Sequence, residues 1–200
     1  SMSDEVLDLA ETPDGVIWAG TNNGGLSRFD GGAWTTLTTD QGLPTMTVKS
    51  IAVDPADGSL WVGTLGVGAG LAHVVGGAVA AVYRGFTLSP GSDNVRATLV
   101  TRDREVWIGF DRGIARLNAG DFDEYDATTS VTALAEGAHG EIWFGTGSRG
   151  VGRYDAGQLR ILPGGPPSGV IRDLFVDAAG VLWVATAGGA ARFEGAAWLS

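Results

Sequence analysis

Five times in 200 residues the chain returns to a tryptophan followed by a small-residue step. The five stretches are Trp18-Ala19-Gly20-Thr21, Trp61-Val62-Gly63-Thr64, Trp107-Ile108-Gly109-Phe110, Trp143-Phe144-Gly145-Thr146 and Trp183-Val184-Ala185-Thr186. Successive tryptophans lie 43, 46, 36 and 40 residues apart. Self-similarity at a fixed period is the signature of stacked repeats, and it constrains the fold before any single residue does. A Gly- or Asp-rich turn precedes each tryptophan: Pro13-Asp14-Gly15, Asp54 to Gly58, Arg102-Asp103-Arg104, His139-Gly140 and Ala179-Gly180. Such turns between short apolar runs read as tight hairpins.

Two more elements share the period. After each tryptophan comes Leu26-Ser27-Arg28-Phe29, Leu71-Ala72-His73-Val74, Ile114-Ala115-Arg116-Leu117, Val151-Gly152-Arg153-Tyr154 or Ala190-Ala191-Arg192-Phe193. Before each comes Val6-Leu7-Asp8-Leu9, Val48-Lys49-Ser50-Ile51, Val95-Arg96-Ala97-Thr98, Val131-Thr132-Ala133-Leu134 or Ile171-Arg172-Asp173-Leu174. A weaker outer stretch, as in Trp34 to Thr38, makes four strands per repeat. No segment carries a helical apolar period of ten residues or more, so the chain is expected to be all β. The period is that of four-stranded β-propeller blades. Blades stack face to face, so a middle strand buried on both sides reads as nearly continuous apolar sequence, as in Ile142-Trp143-Phe144-Gly145. The 33 glycines suit hairpin turns and the crowded space near a propeller axis.

At these residues the chain resembles the two-component regulator propeller repeat family. The run Val48 to Thr64, with its Ile51-Ala52-Val53-Asp54 and Gly58-Ser59-Leu60-Trp61-Val62-Gly63-Thr64, carries the resemblance. So does Gly25-Leu26-Ser27-Arg28-Phe29-Asp30-Gly31 running on to Trp34-Thr35. The resemblance extends over essentially the whole chain; kelch and WD40 patterns fit less well. It implies a bacterial signal-transduction context, a propeller sensor region outside the inner membrane, and hence a periplasmic or extracellular location. It also implies, in whole family members, more than five blades, a further β-domain, a membrane span and an output module such as a histidine kinase.

The expected organisation is one propeller domain over residues 1–200, with blades near 4–40, 46–85, 93–127, 129–163 and 169–200. Ser1-Met2 reads as a remnant of cloning, and the final residues 195–200 match Gly31 to Thr36 before breaking off, which leaves a longer parent open. A closed five-bladed ring is expected, with all five tryptophans buried between blades.

Composition narrows the function. With 13 Lys+Arg against 23 Asp+Glu, the net charge is −10, which repels phosphate backbones and argues against nucleic acid. No apolar run reaches the roughly 18 residues of a membrane span, and no signal peptide is visible. The acidic, lysine-poor surface suggests a monomer. Cysteine is absent, so disulfides and thiolate sites are excluded. Asp121, Asp123, Glu124 and Asp126 resemble a calcium loop but lack its Gly and distal Glu. His73 and His139 have no ligand spacing, Gly66 to Gly70 is no phosphate loop, and no nucleophile elbow appears. No cofactor or metal is implied.

Residues present in every repeat are architectural; function is expected where repeats differ. The arginines Arg28, Arg116, Arg153 and Arg192, replaced by His73 in blade 2, are therefore expected to pack on aromatic neighbours. The second position of the innermost strand instead varies: Leu7, Lys49, Arg96, Thr132 and Arg172. Three of five are cationic in a chain with one lysine and twelve arginines. Pseudo-rotation brings them to one mouth of the central channel, where they repel unless an anion or carboxylates intervene. Asp8, Asp93 and Asp173 are the candidates for local neutralisation. The mouth would also carry Asn22, Asn23 and Asn94, with Gln41, Thr45, Ser92, Arg112, Ser148, Arg149 and Ser168 from loops and connectors. The binding set is thus Lys49, Arg96, Arg172, Asp173, Asn94, Asn22 and Asn23. The ligand class is a small anion, glycan or peptide. The reading is a non-catalytic binding or sensor module. The alternatives are a propeller lyase or hydrolase acting on carbohydrate, marked by a His or carboxylate pair at the mouth, and a structural propeller piece without ligand.

Overall fold

The computed structural model describes residues 5–194 and 197–199 of the chain. It is all β, with five sheets of four antiparallel strands each, every sheet taking its strands in chain order. The innermost strands are Val6–Glu11, Thr47–Val53, Val95–Val100, Val131–Glu136 and Ile171–Val176. The tryptophan strands follow as Ile17–Thr21, Leu60–Leu65, Val106–Phe110, Ile142–Thr146 and Leu182–Thr186. Third strands are Leu26–Phe29, Leu71–Val75, Gly113–Asn118, Val151–Asp155 and Gly189–Glu194. Outer strands are Trp34–Leu37, Ala78–Tyr83, Asp121–Asp126, Gln158–Ile161 and Ala197–Leu199. Among the described residues there is one 3-10 turn, Thr39–Gln41, and no helix is long and apolar enough to cross a membrane.

Stability comes from the joints between blades. Each joint buries its own apolar cluster. Trp18, Leu26, Val48 and Ile51 lie between blades 1 and 2, and Trp61, Leu71, Val95 and Ile108 between blades 2 and 3. Trp107, Ile114, Val131 and Phe144 lie between blades 3 and 4, and Trp143, Val151, Ile171 and Leu182 between blades 4 and 5. Glycine sets the approach at each joint. A Cβ at Gly109 would stand 2.7 Å from Val131 Cγ1 and 2.9 Å from its carbonyl oxygen. Gly20, Gly63 and Gly145 meet Val48, Val95 and Ile171 in the same way. The repeated arginines behave as architecture. Arg28, Arg116, Arg153 and Arg192 lie over Trp18, Trp107, Trp143 and Trp183 at 5.7–6.0 Å, and His73 stacks on Trp61 at 4.1 Å. Each such cation–π contact at a surface site is worth about 0.5–1 kcal/mol.

The expected closed ring is not what the chain forms. No apolar cluster joins blade 5 to blade 1 among the described residues. On blade 5, Trp183 is 41% and Phe175 63% exposed; on blade 1, Val6 is 52% and Leu9 63% exposed. Four tryptophans are buried as expected, and Trp183 is not, because no blade covers it. The physical reason is local. Where the four occupied joints place glycine, blade 5 has Ala185, so this face lacks the close-approach residue the other joints share. The fold is an open arc of five blades with four joints.

Candidate functional site

Every innermost strand carries a register shift at the same place, between Val6 and Asp8, Val48 and Ser50, Val95 and Ala97, Val131 and Ala133, and Ile171 and Asp173. The residue stepped over is Leu7, Lys49, Arg96, Thr132 or Arg172. A bulge leaves its extra residue outside the ladder and re-aims its side chain. All five line one cavity of about 240 Å³ on the propeller axis, together with Asp8, Ser50, Thr98 and Asp173.

The cations do not share one environment. Arg96 Nε donates to Asp111 Oδ1 at 2.6 Å. Asp111 also accepts from Ser92 and, at 3.0 Å, from Asn94. Burial alone would raise the Asp111 carboxyl; these bonds and the Arg96 charge outweigh it and hold it below the usual range. Arg96 is therefore neutralised, but by Asp111 rather than by Asp93. Asp93 instead accepts from the Gly85 and Phe86 amides. Lys49 and Arg172 make no hydrogen bond or ion pair among the described residues.

Two carboxylates share the cavity. Asp8 accepts from its own neighbour Leu9 at 2.9 Å and, across the joint, from the Ile51 amide at 2.7 Å. Its carboxyl is pushed up, first by burial and also by Asp173, against the opposing pull of those amides and Lys49. Asp173 accepts from the Leu174 amide at 2.8 Å. Thr132 Oγ1 donates to the Ile171 carbonyl at 2.8 Å, tying blade 4 to blade 5.

The remaining expected residues lie at the rim and are engaged locally. Asn94 accepts from the Gly66 amide at 2.8 Å while bonding Asp111. Asn22 Nδ2 donates to Glu5 at 2.7 Å, and exposed Asn23 holds a turn at φ +62°. Loop polarity is equally committed. Gln41 caps the 3-10 turn, Thr45 donates to the Leu65 carbonyl at 2.8 Å, and Arg112 pairs with Asp126 at 3.1 Å. Thus Lys49, Arg96, Arg172 and Asp173 come together, Asn94 stands one step behind through Asp111, and Asn22 and Asn23 stay outside. Asp111 was the missed member, while Asp8, expected only as a neutralising neighbour, lines the cavity itself. Asp8 shares the repeat position of Asp173, which was the available signal; Asp111 sits in a turn that no repeat marks.

Other candidates resolve structurally. Glu124 accepts from the Thr87 and Leu88 amides at 2.7 and 2.8 Å, Asp123 pairs with Arg116, and Asp126 with Arg112. No group of metal-holding side chains occurs among the described residues. A larger cavity of about 420 Å³ opens between the hairpins of blades 1 and 2, over Trp18 and Arg28. The next joints are bridged at those hairpins, by Arg104 to Asp54 and Asp57 and by Arg102 to Glu136. The larger cavity is a gap that no arginine crosses, whereas the axial one collects a side chain from every blade.

The model of the family described as two component regulator propeller matches residues 1–23 and 165–188. The match falls on the first and fifth repeats of the chain. Among solved structures, the chain superposes on the extracellular domain of a hybrid two component system from B. thetaiotaomicron. The TM-score is 0.82 at 19% identity, over 98% of this chain and 30% of that one. The extracellular domain of a one component system from B. thetaiotaomicron gives 0.80 at 23% identity, over 94% of this chain and 27% of that one. A catalytically inactive virginiamycin B lyase from Staphylococcus aureus with quinupristin gives 0.78 at 18%, over 97% of this chain and 68% of that one. The propeller thus spans less than a third of the length of the first two structures. At these identities the superpositions establish the fold. No curated protein matches the chain.

Proposed function

We propose that this propeller is a non-catalytic ligand-binding module of the kind used in extracytoplasmic signal sensing, and that its axial cavity takes a small anion. The observation that carries the proposal is that Lys49 and Arg172 line the cavity without a hydrogen bond or ion pair among the described residues, Lys49 feeling Asp8 only through its charge, while Arg96 is neutralised by Asp111. Like charges gathered around one cavity repel unless an opposite charge lies between them. Asp8 and Asp173 stand in the same cavity, so a bulky dianion meets repulsion, and a monoanion bearing hydroxyl groups fits the mixed lining better. The resemblance to extracellular domains supports a location outside the cytoplasm.

A lyase or hydrolase reading has one supporting observation, the Asp8 and Asp173 pair in the cavity. Asp8, however, has both oxygens occupied by the Leu9 and Ile51 amides, which gives it a joint-holding role. His73 stacks on Trp61, far from the bulge positions in its repeat, and His139 lies in a hairpin.

Calorimetric titration with sulfate, phosphate and hexuronic acid tests the proposal. Lys49→Ala/Arg172→Ala should bind the preferred anion roughly tenfold more weakly than the unaltered chain, a loss of about 1.4 kcal/mol. Arg96→Ala should change binding less. Equal binding by all three proteins, or none by any, would remove the anion reading.

A further inference from the structure

Beyond the bulge, all five innermost strands run in the same register. The first residue after it pairs with Gly20, Gly63, Gly109, Gly145 or Ala185, and the next one is Leu9, Ile51, Thr98, Leu134 or Leu174. Leu9, Ile51 and Leu174 show where the amide of that next residue points. Each donates to a carboxylate in the axial cavity rather than to the neighbouring strand. In an antiparallel ladder every second residue turns its N–H away from its partner strand, so equal register means equal direction. The amides of Thr98 and Leu134 therefore face the axis as well.

Blades 3 and 4 have no acceptor for them. Blades 1 and 5 supply Asp8 and Asp173 at the position where blades 3 and 4 have Ala97 and Ala133. Neither amide makes a hydrogen bond outside the ladder among the described residues. Unspent hydrogen bonding gathers in this lining. Of the three buried side-chain atoms without a partner among the described residues, two are Ser50 Oγ and Thr98 Oγ1, both of residues that line the cavity. Buried polar groups are almost always bonded, so a lining with several unbonded donors suits a ligand that accepts.

Asp8 shows the form such a ligand would take. Its Oδ1 accepts from Leu9 of its own blade at 2.9 Å and its Oδ2 from Ile51 of the next blade at 2.7 Å. One carboxylate thus bridges one repeat position on two adjacent blades. Thr98 and Leu134 are that position on blades 3 and 4, and the neighbouring blades 2 and 5 bring Lys49 and Arg172. Resting on the anion reading above, we infer that the axial site recognises a carboxylate, which bridges the Thr98 and Leu134 amides as Asp8 bridges Leu9 and Ile51.

Amide-proton NMR of the chain tests this, with D-glucuronate as the probe and neutral D-glucuronamide as its control. Glucuronate should move the Thr98 and Leu134 amide protons downfield along one saturable curve, leaving those of Leu9, Ile51 and Leu174 nearly in place. Glucuronamide should bind at least roughly tenfold more weakly. Ala97→Asp, which copies the blade 1 arrangement, and Ala97→Asn, which fills the seat without charge, should each weaken glucuronate at least roughly tenfold. Should either variant lose cooperative unfolding, the shifts in the unaltered chain decide. Sulfate binding that depends on Lys49 and Arg172, with no binding of glucuronate, would overturn the carboxylate inference and leave the anion reading standing. Glucuronate binding with shifts confined to other residues would do the same. No binding of either anion would overturn both.

Discussion

Trp143 and Trp183 occupy one repeat position and lie under one kind of arginine, yet they do different work. Trp143 is buried edge-to-face against Phe193 in the joint between blades 4 and 5, with Arg153 over its ring. Trp183 keeps its arginine and donates from Nε1 to Asp177 at 2.9 Å, but has no blade beyond it. Emptying a large buried aromatic site costs about 3–5 kcal/mol, so Trp143→Ala should show that loss in denaturant unfolding. Trp183→Ala should lose under about 2 kcal/mol, since much of its surface is already in water. Equal losses would mean the two tryptophans are equally buried. At this scale the sequence was legible wherever a residue recurred: the arginine–tryptophan stacking, its His73 substitute and the bulged second position all follow from the period. It was not legible where a partner came from a loop. Arg96 was matched with Asp93 because the two are near in sequence, while its partner Asp111 comes from the turn after the tryptophan strand, fifteen residues on.

Strands and joints explain why the elements were easy to read and their closure was not. Hairpin turns and alternating burial are local, and the four strands of each repeat could be placed from sequence spacing alone. Closure depends on what meets across a joint, and the repeat pattern differs there at Ala185, in a position otherwise glycine. Gly109→Ala should cost about 1–3 kcal/mol, because its methyl group overpacks against Val131. Ala185→Gly, at the open face, should lose only the roughly 0.5–1 kcal/mol of added chain entropy. Denaturant midpoints of the two variants distinguish these outcomes, and similar losses would place Ala185 in a packed joint. The joint between blades 3 and 4 has its own titration signature. Tyr154 donates to Tyr125 at 3.0 Å, and burial first, then this bond, push its phenol up to about 12. The folded value lies above the usual 10, so the fold favours the neutral phenol. Its contribution is complete below pH 10 and fades as pH rises through about 12. Tyr154→Phe should therefore lose less stability than the unaltered chain across that interval, as followed by phenolate absorbance and unfolding midpoints.

For the molecule as a whole, both proposals rest on the axial cavity. The axial cavity needs all five bulge residues held around one axis, which the four existing joints accomplish. The uncovered faces of blades 1 and 5 add a surface that the closed ring expected from five complete repeats would not possess. Counting repeats could not reveal this, because a five-membered set is compatible with a ring or an arc and only the joint chemistry decides. Hydroxyl-radical footprinting of the seven tryptophans tests the arc most directly. An open arc predicts rapid modification of Trp183 and Trp34, with Trp18, Trp61, Trp107 and Trp143 protected. Protection of Trp183 equal to that of those four, in the unaltered chain at low concentration, would show a closed ring and contradict the fold described above.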